Sequence, residues 1–144
     1  MAFTGNFMCT SFKVELMTAT HNFTNTTGNT FNIAMYTNSA SFTAATTAYT
    51  ASNEVTGSGY VAKGNTLVNV TPTSTSTTAF TDFGDSTWSS STITARGAMI
   101  FNDTASGDPS VVILDFGSDK SSSSGDFTIV FPTGDSTSAI IRIA

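Results

Sequence analysis

One cysteine, Cys9, is all that this sequence contains. A lone thiol cannot close an internal disulfide, so the chain is not a stapled secreted scaffold and has to be held by its core. Basic residues are scarce as well, with five Lys and Arg against ten Asp and Glu and a net charge of −5. Nucleic-acid binding needs a broad basic footprint, and five cations cannot make one. The acidic balance favours solubility instead. Long apolar runs are also missing. No window approaches the length of a membrane span, and the first eight residues lack the basic region and apolar run of a secretory signal. A soluble protein made in a cytoplasm is the expectation.

Hydroxyl groups are what the sequence has in quantity. Thr (28) and Ser (20) account for one residue in three, while only 10% of residues are charged. Such a bias fits a mucin-like stalk, but 39% of residues are hydrophobic and twelve phenylalanines are spread along the chain. Disordered segments lack the aromatic and β-branched residues that offset chain entropy. Threonine suits a pleated, half-buried surface. Eight Val and eight Ile against three Leu point the same way. At 144 residues the chain is long enough to bury a real core as one domain, residues 1–144.

The stretch that organises the rest is TWSSSTITARGAMIF. From Thr92 it reads as a strand, with Ile93, Ala95, Gly97, Met99 and Phe101 on one face and Thr94, Arg96, Ala98 and Ile100 on the other. A turn-rich NDTASGDPS follows, then a second strand over residues 111–117, and the two predict an antiparallel hairpin. Gly97 and Ala98 leave room there for bulky residues of a facing layer.

Upstream, TSFKVELMTAT reads as the one helix, capped by Thr10 or Ser11, with Lys13 and Glu15 outward. Phe31, Ile33 and Met35 alternate in a strand over residues 31–36. Residues 38–58 form a low-complexity excursion with a helical turn expected near residues 44–49. One bulged strand or two short ones are expected around Gly64. Another strand carries Phe80 and Phe83 as anchors. SDKSSSSGD reads as a turn, followed by separate strands in DFTIVFP, where Phe127, Ile129 and Phe131 share a face, and in SAIIRIA. The predicted fold is mainly β, an antiparallel β-sandwich or small jelly-roll with one short N-terminal helix.

Residues that could carry chemistry lack visible partners. His21, the single histidine, belongs to no recognisable nucleophile–base–acid set, and an ordinary helix-end or loop histidine is the better reading. Cys9 reads as a small apolar core residue. The close carboxylates Asp82 and Asp85, Asp103 and Asp108, and Asp115 and Asp119 have the residue type for glycosidase acids or calcium ligands. All lie in or beside turns, where Asp accepts backbone hydrogen bonds, and none has EF-hand spacing. Asn22, Asn25, Asn69 and Asn102 head glycosylation sequons, as a chain this rich in Ser and Thr produces by chance. Trp88 with Tyr36, Tyr49 and Tyr60 offers aromatic faces for sugar stacking, but packing is the better reading for Trp88. Arg96 and Arg142 interrupt apolar strands and should have acidic or carbonyl partners. No catalytic residue, cofactor or metal ligand is assigned, and an enzyme is not expected.

TSFKVELMTATHNF, TFNIAMYTNSA, TARGAMIFN, VVILDFG, GDFTIVFP and the terminal AIIRIA together resemble small virion structural proteins of tailed bacteriophages, especially those of aquatic bacteria. The resemblance covers most of the chain in order. It implies a non-enzymatic component of the virion, assembled in the host cytoplasm. The leading form is a capsid decoration (cement) protein that binds the major capsid protein or other virion proteins as a homo-oligomer. The alternative is a tail or fibre component whose sandwich loops bind a host glycan, with DFGDSTW, residues 82–88, as the closest match to such a loop.

Overall fold

The hairpin predicted from Thr92 onward exists, and it is far longer than its apolar alternation indicates. In the computed structural model, which describes residues 3–144, its first strand, β6, spans Ser86–Asn102 and its second, β7, spans Ser110–Ile129. They pair antiparallel from Phe101↔Ser110 near the turn to Ser86↔Ile129 at the open end. SDKSSSSGD is therefore not a turn, and DFTIVFP is not a separate strand, because the former lies wholly in β7 and the latter contributes only Asp126–Ile129 to its end. The physical reason lies opposite them. β6 supplies its own hydroxyl side chains, so Thr94 Oγ1 and Ser121 Oγ lie 2.8 Å apart, Ser91 Oγ and Ser122 Oγ 2.7 Å, and Thr87 Oγ1 and Thr128 Oγ1 2.9 Å. Cross-strand hydroxyl pairs of this kind stabilise a ladder that burial alone does not.

Around this hairpin lie β1 (Phe7–Met8), α1 (Thr10–Met17), β2 (Phe31–Tyr36), β3 (Asn65–Thr66), β4 (Asn69–Thr75), β5 (Thr78–Phe83) and β8 (Ile141–Ile143). Two sheets result, a five-stranded one in the order β1-β7-β6-β2-β3 and a three-stranded one in the order β4-β5-β8. All pairings are antiparallel, so the fold is mainly β and sandwich-like with one short helix. Aromatic side chains join the sheets. Phe23 stacks on Phe31 with ring centroids 4.4 Å apart, Phe31 meets Phe83 of β5 at 5.7 Å, and Phe83 meets Phe131 at 6.2 Å. Each such pair adds about 0.5–1.5 kcal/mol to what its buried area contributes.

β2 carries the predicted residues but not the predicted alternation. All six of its side chains are buried, since it lies between β6 and β3 with packing on both faces. Gly97 leaves room as expected, and the occupant is the Phe3 ring, which a side chain at that position would strike. Gly64 sits at φ +66°, its α-carbon against the Ile33 carbonyl, so the bend between residues 63 and 65 admits no side chain. Two short strands, β3 and β4, follow it.

Other differences are local. α1 ends at Met17, and its N-cap is Cys9, which makes no side-chain capping bond; neither Thr10 nor Ser11 caps it. Burial of Phe12 at 0% exposure holds so short a helix in place. Glu15 does not face outward but turns toward His21. No helical turn forms near residues 44–49. A hydroxyl-stabilised turn stands there, with Thr43 N–H donating to Thr46 Oγ1 and Ala48 pairing with Pro109. The last strand holds only Ile141–Ile143. Phe127, Ile129 and Phe131 are all buried, as their shared face requires.

Candidate functional site

The hairpin turn lies between two buried polar nodes. The first is built on Asn102, the last residue of β6 and 0% exposed. Its Oδ1 accepts the N–H groups of Thr104 (3.0 Å) and Ala105 (3.1 Å), which fixes the amide so that Nδ2 points to Asn29 Oδ1 and His21 Nδ1, both at 3.0 Å. His21 Nδ1 is thus an acceptor, and Nε2 carries the proton that it donates to Glu15 Oε2 at 2.7 Å. The imidazole side chain is fully buried and tilts against Phe12, centroid to centroid 5.0 Å. With both nitrogens engaged, it has none left to take a proton from a nucleophile. Cys9 is buried on its own account, and burial raises its thiol above the ordinary range, which opposes thiolate formation. His21 thus docks the chain after the helix onto the hairpin.

The second node is one that the sequence did not reveal. Glu54, 9% exposed, accepts three hydrogen bonds: Tyr49 O–H at 2.6 Å, Tyr60 O–H at 2.7 Å and the Lys63 N–H at 2.8 Å. Tyr60 O in turn accepts the Met35 N–H at 2.9 Å. Burial first, and the glutamate second, push the Tyr49 phenol up to about 12 and raise Tyr60 further. Lys63 Nζ reaches Asp103 Oδ1 and Asp108 Oδ2, each at 2.8 Å, and sits 5.7 Å from the Tyr49 ring centroid. The two aspartates hold its ammonium protonated, so Lys63 is a clamp rather than a nucleophile. A single Glu flanked at −5 and +6 by tyrosines was the available signal, but it becomes readable only when residues 37–64 fold back along β2 and β6.

The three carboxylate pairs go separate ways. Asp103 and Asp108 meet on Lys63. Asp115 binds Arg96, with Nη2 at 3.1 Å, and accepts the Gly117 N–H at 2.8 Å. The Gly117 bond and then the guanidinium hold its carboxyl below the usual range. Asp119 is exposed on β7. Asp85 accepts the Phe131 N–H at 2.9 Å, and Asp82 lies buried beneath the C-terminal segment. Arg142 donates to the Ser136 carbonyl at 3.1 Å, so both arginines have the partner types their surroundings demand. Among the described residues, no group of three or more His, Cys, Asp or Glu could hold a metal ion.

The aromatic set does not form an open platform. Trp88 is 3% exposed and stacks on Tyr60 at 6.0 Å, and Tyr36 is 0% exposed with its O–H on the Thr50 carbonyl at 2.7 Å. In DFGDSTW, Asp82, Phe83, Ser86 and Trp88 are all buried. Two of the sequon asparagines, Asn69 and Asn102, are also buried, and only Asn22 and Asn25 are exposed.

What remains open is an edge. β1 covers β7 only at Val112 and Ile113, and Asn6 Oδ1 takes the Asp115 N–H. Beyond that point no strand among the described residues pairs with the outer side of β7. A groove of about 620 Å³ follows this edge, with Phe116, Lys120, Asp126, Thr128, Val130 and Pro132 in its walls. A second, more apolar hollow of about 460 Å³ lies between Leu16, Phe23, Phe80 and Ile143. Among the described residues, no helix is long and apolar enough to cross a membrane. No protein-family model, curated protein or solved structure matches the chain.

Proposed function

We propose that this protein is a non-enzymatic structural subunit of a tailed-bacteriophage particle, most concretely a decoration protein that docks on the head surface in many copies and stabilises the shell. The observation that carries this reading is the contrast between interior and edge. His21, Glu54, Lys63 and Asn102 spend their bonding capacity inside the molecule, while the outer side of β7 and its groove offer a long surface for docking. The segments that resemble phage virion proteins include the whole turn-proximal part of that hairpin. Modest affinity per copy suffices when neighbouring copies add avidity.

Of the five basic residues, Lys63 and Arg96 are held in ion pairs and Arg142 lies on a backbone carbonyl. Lys120 is the one basic residue in the groove, so a docking interface rests mainly on apolar and hydrogen-bonded contact, and binding to undecorated heads should change little between low and high salt. Quantitative mass spectrometry of purified particles tests the role. Hundreds of copies per particle are expected for a shell protein. About a dozen or fewer would move the assignment to the tail, and absence from the particle would end both.

A further inference from the structure

The C-terminal segment, residues 131–144, is the least anchored part of the second sheet. β8 contributes three paired residues, Ile141 to Thr81, Arg142 to Phe80 and Ile143 to Ala79, and it is an edge strand. Two carboxylates at the end of β5 and just beyond it lie against the segment before β8 begins. Asp85 Oδ1 takes the Phe131 N–H at 2.9 Å. Asp82, in β5, lies directly under the loop, so close that a side chain at Gly134 would begin 3.2 Å from its Cβ and Oδ2.

Asp82 is an unusual choice for that place. It is 3% exposed. Among the described residues, its Oδ1 accepts the Phe83 N–H at 2.8 Å and its Oδ2 is buried with no hydrogen-bond partner, while the Ile140 N–H of the strap lies near enough to favour the charge without making a hydrogen bond. A carboxylate in such surroundings carries a desolvation cost that the protonated acid does not. We propose that residues 131–144 form a pH-sensitive strap, latched over the second sheet while the Asp82 carboxyl is protonated and loosened when it ionises.

The surroundings of Asp82 support this sign. Burial raises its carboxyl above the ordinary range, the nearby Asp85 charge adds to that, and the N–H groups of Phe83 and Ile140 offset it in part. β4, which places Val70 opposite Asp82, brings no titratable residue. The strap brings Asp135 and Arg142, and both are occupied locally, Asp135 by Thr137 and Ser138 and Arg142 by the Ser136 carbonyl. Among the described residues, no cation therefore pairs with Asp82. A carboxyl whose pKa is higher in the closed state than in the open one makes the closed state bind more protons. The penalty on closure is absent below the ordinary carboxyl range and complete above the closed-state value. Each unit between the two values changes the opening constant about tenfold.

Two measurements on the intact protein test this. In the first, the Asp82 carboxyl carbon is titrated by NMR. Its midpoint should lie above the ordinary carboxyl range, and the amide signals of Gly134, Ile140 and Ile141 should move with it. A midpoint at or below that range, or strap amides that ignore it, overturns the proposal without any variant. In the second, hydrogen exchange of residues 139–143, corrected for intrinsic rates, is followed with pH. Exchange should quicken as pH rises through that midpoint in the wild type and show no such step in Asp82→Asn. The same step in both proteins would equally overturn it. Neither readout depends on a virion role.

Discussion

The two halves of the β6–β7 hairpin are held together by different physics. Near the turn, residues 97–102 face residues 110–115, and most of these side chains are buried between β1 and β2. Toward the open end, residues 86–95 face residues 120–129 in a ribbon that buries Trp88, Ile93, Phe127 and Ile129 on one face and leaves mostly Ser and Thr, with Lys120 and Asp126, exposed. The halves meet at a bulge, where four residues, 116–119, oppose the single Arg96. Gly117 at φ +77° begins its return. The ribbon has further bulges with Ser90 and Ser124 at positive φ. Bulges twist an exposed edge away from indiscriminate pairing, so the ribbon stays open to a partner without being a flat template for aggregation. One half supplies stability and the other supplies surface.

The largest effect should come from breaking the turn-proximal half. Phe101 is 0% exposed and stacks on Tyr49 at 4.7 Å. Phe101→Ala should cost about 3–5 kcal/mol, read as a drop in the urea midpoint at unchanged slope. Asn102→Ala comes next. It keeps the strand but leaves His21 Nδ1 and two turn N–H groups without their partner, and about 2–3 kcal/mol should be lost. A loss under about 0.5 kcal/mol would mean that water replaces the amide.

This contrast also decides how much was legible beforehand. Ile93, Met99, Phe101, Val111 and Ile113 announce the hairpin because local alternation reports a buried face, and Phe31, Ile33 and Met35 announce β2 as a strand, although the residues between them are buried as well. Residues 118–126 read as a turn because serine and glycine dominate them, and their strand character comes from β6 opposite, which no local window contains. Glu54 was silent for the same reason. Its two phenols are close in sequence, but their convergence depends on the excursion folding along β2. Cys9 gives no capping signal because burial of Phe12, rather than a cap, fixes α1.

The boundary between the halves should respond to acid. Asp115 is held in its ionised form by the Gly117 N–H and by Arg96, so its carboxyl is depressed below the ordinary range. The contribution of a depressed acid is complete above the unfolded carboxyl range, about 3.9, and disappears as pH falls through the folded value. Asp115→Asn should therefore lower stability at neutral pH and flatten its decline below about pH 4. Asp82 has the opposite sign, so the strap should tighten under mildly acidic conditions while the bulge has yet to weaken. Equal acid sensitivity in wild type and Asp115→Asn would remove Asp115 from this account.

The smallest effect should come from the ribbon itself, and its smallness is informative. Thr94 Oγ1 and Ser121 Oγ bond across the strands at 2.8 Å, and both side chains are exposed. Thr94→Val removes the hydroxyl but keeps a β-branched side chain that suits a strand, so the net change should stay within about 0.5 kcal/mol. The hydroxyl pair itself is isolated by a cycle with Ser121→Ala, where a coupling of about 0.2–1 kcal/mol is expected. Native-state hydrogen exchange then locates the effect. Amides of residues 97–102 should exchange only through global unfolding and ignore both substitutions, whereas those of residues 92–95 should open locally and faster in each variant. Equal protection along all of β6 would show that the ribbon is held by the same cooperative core as the turn-proximal half, and the division of labour within the hairpin would fall.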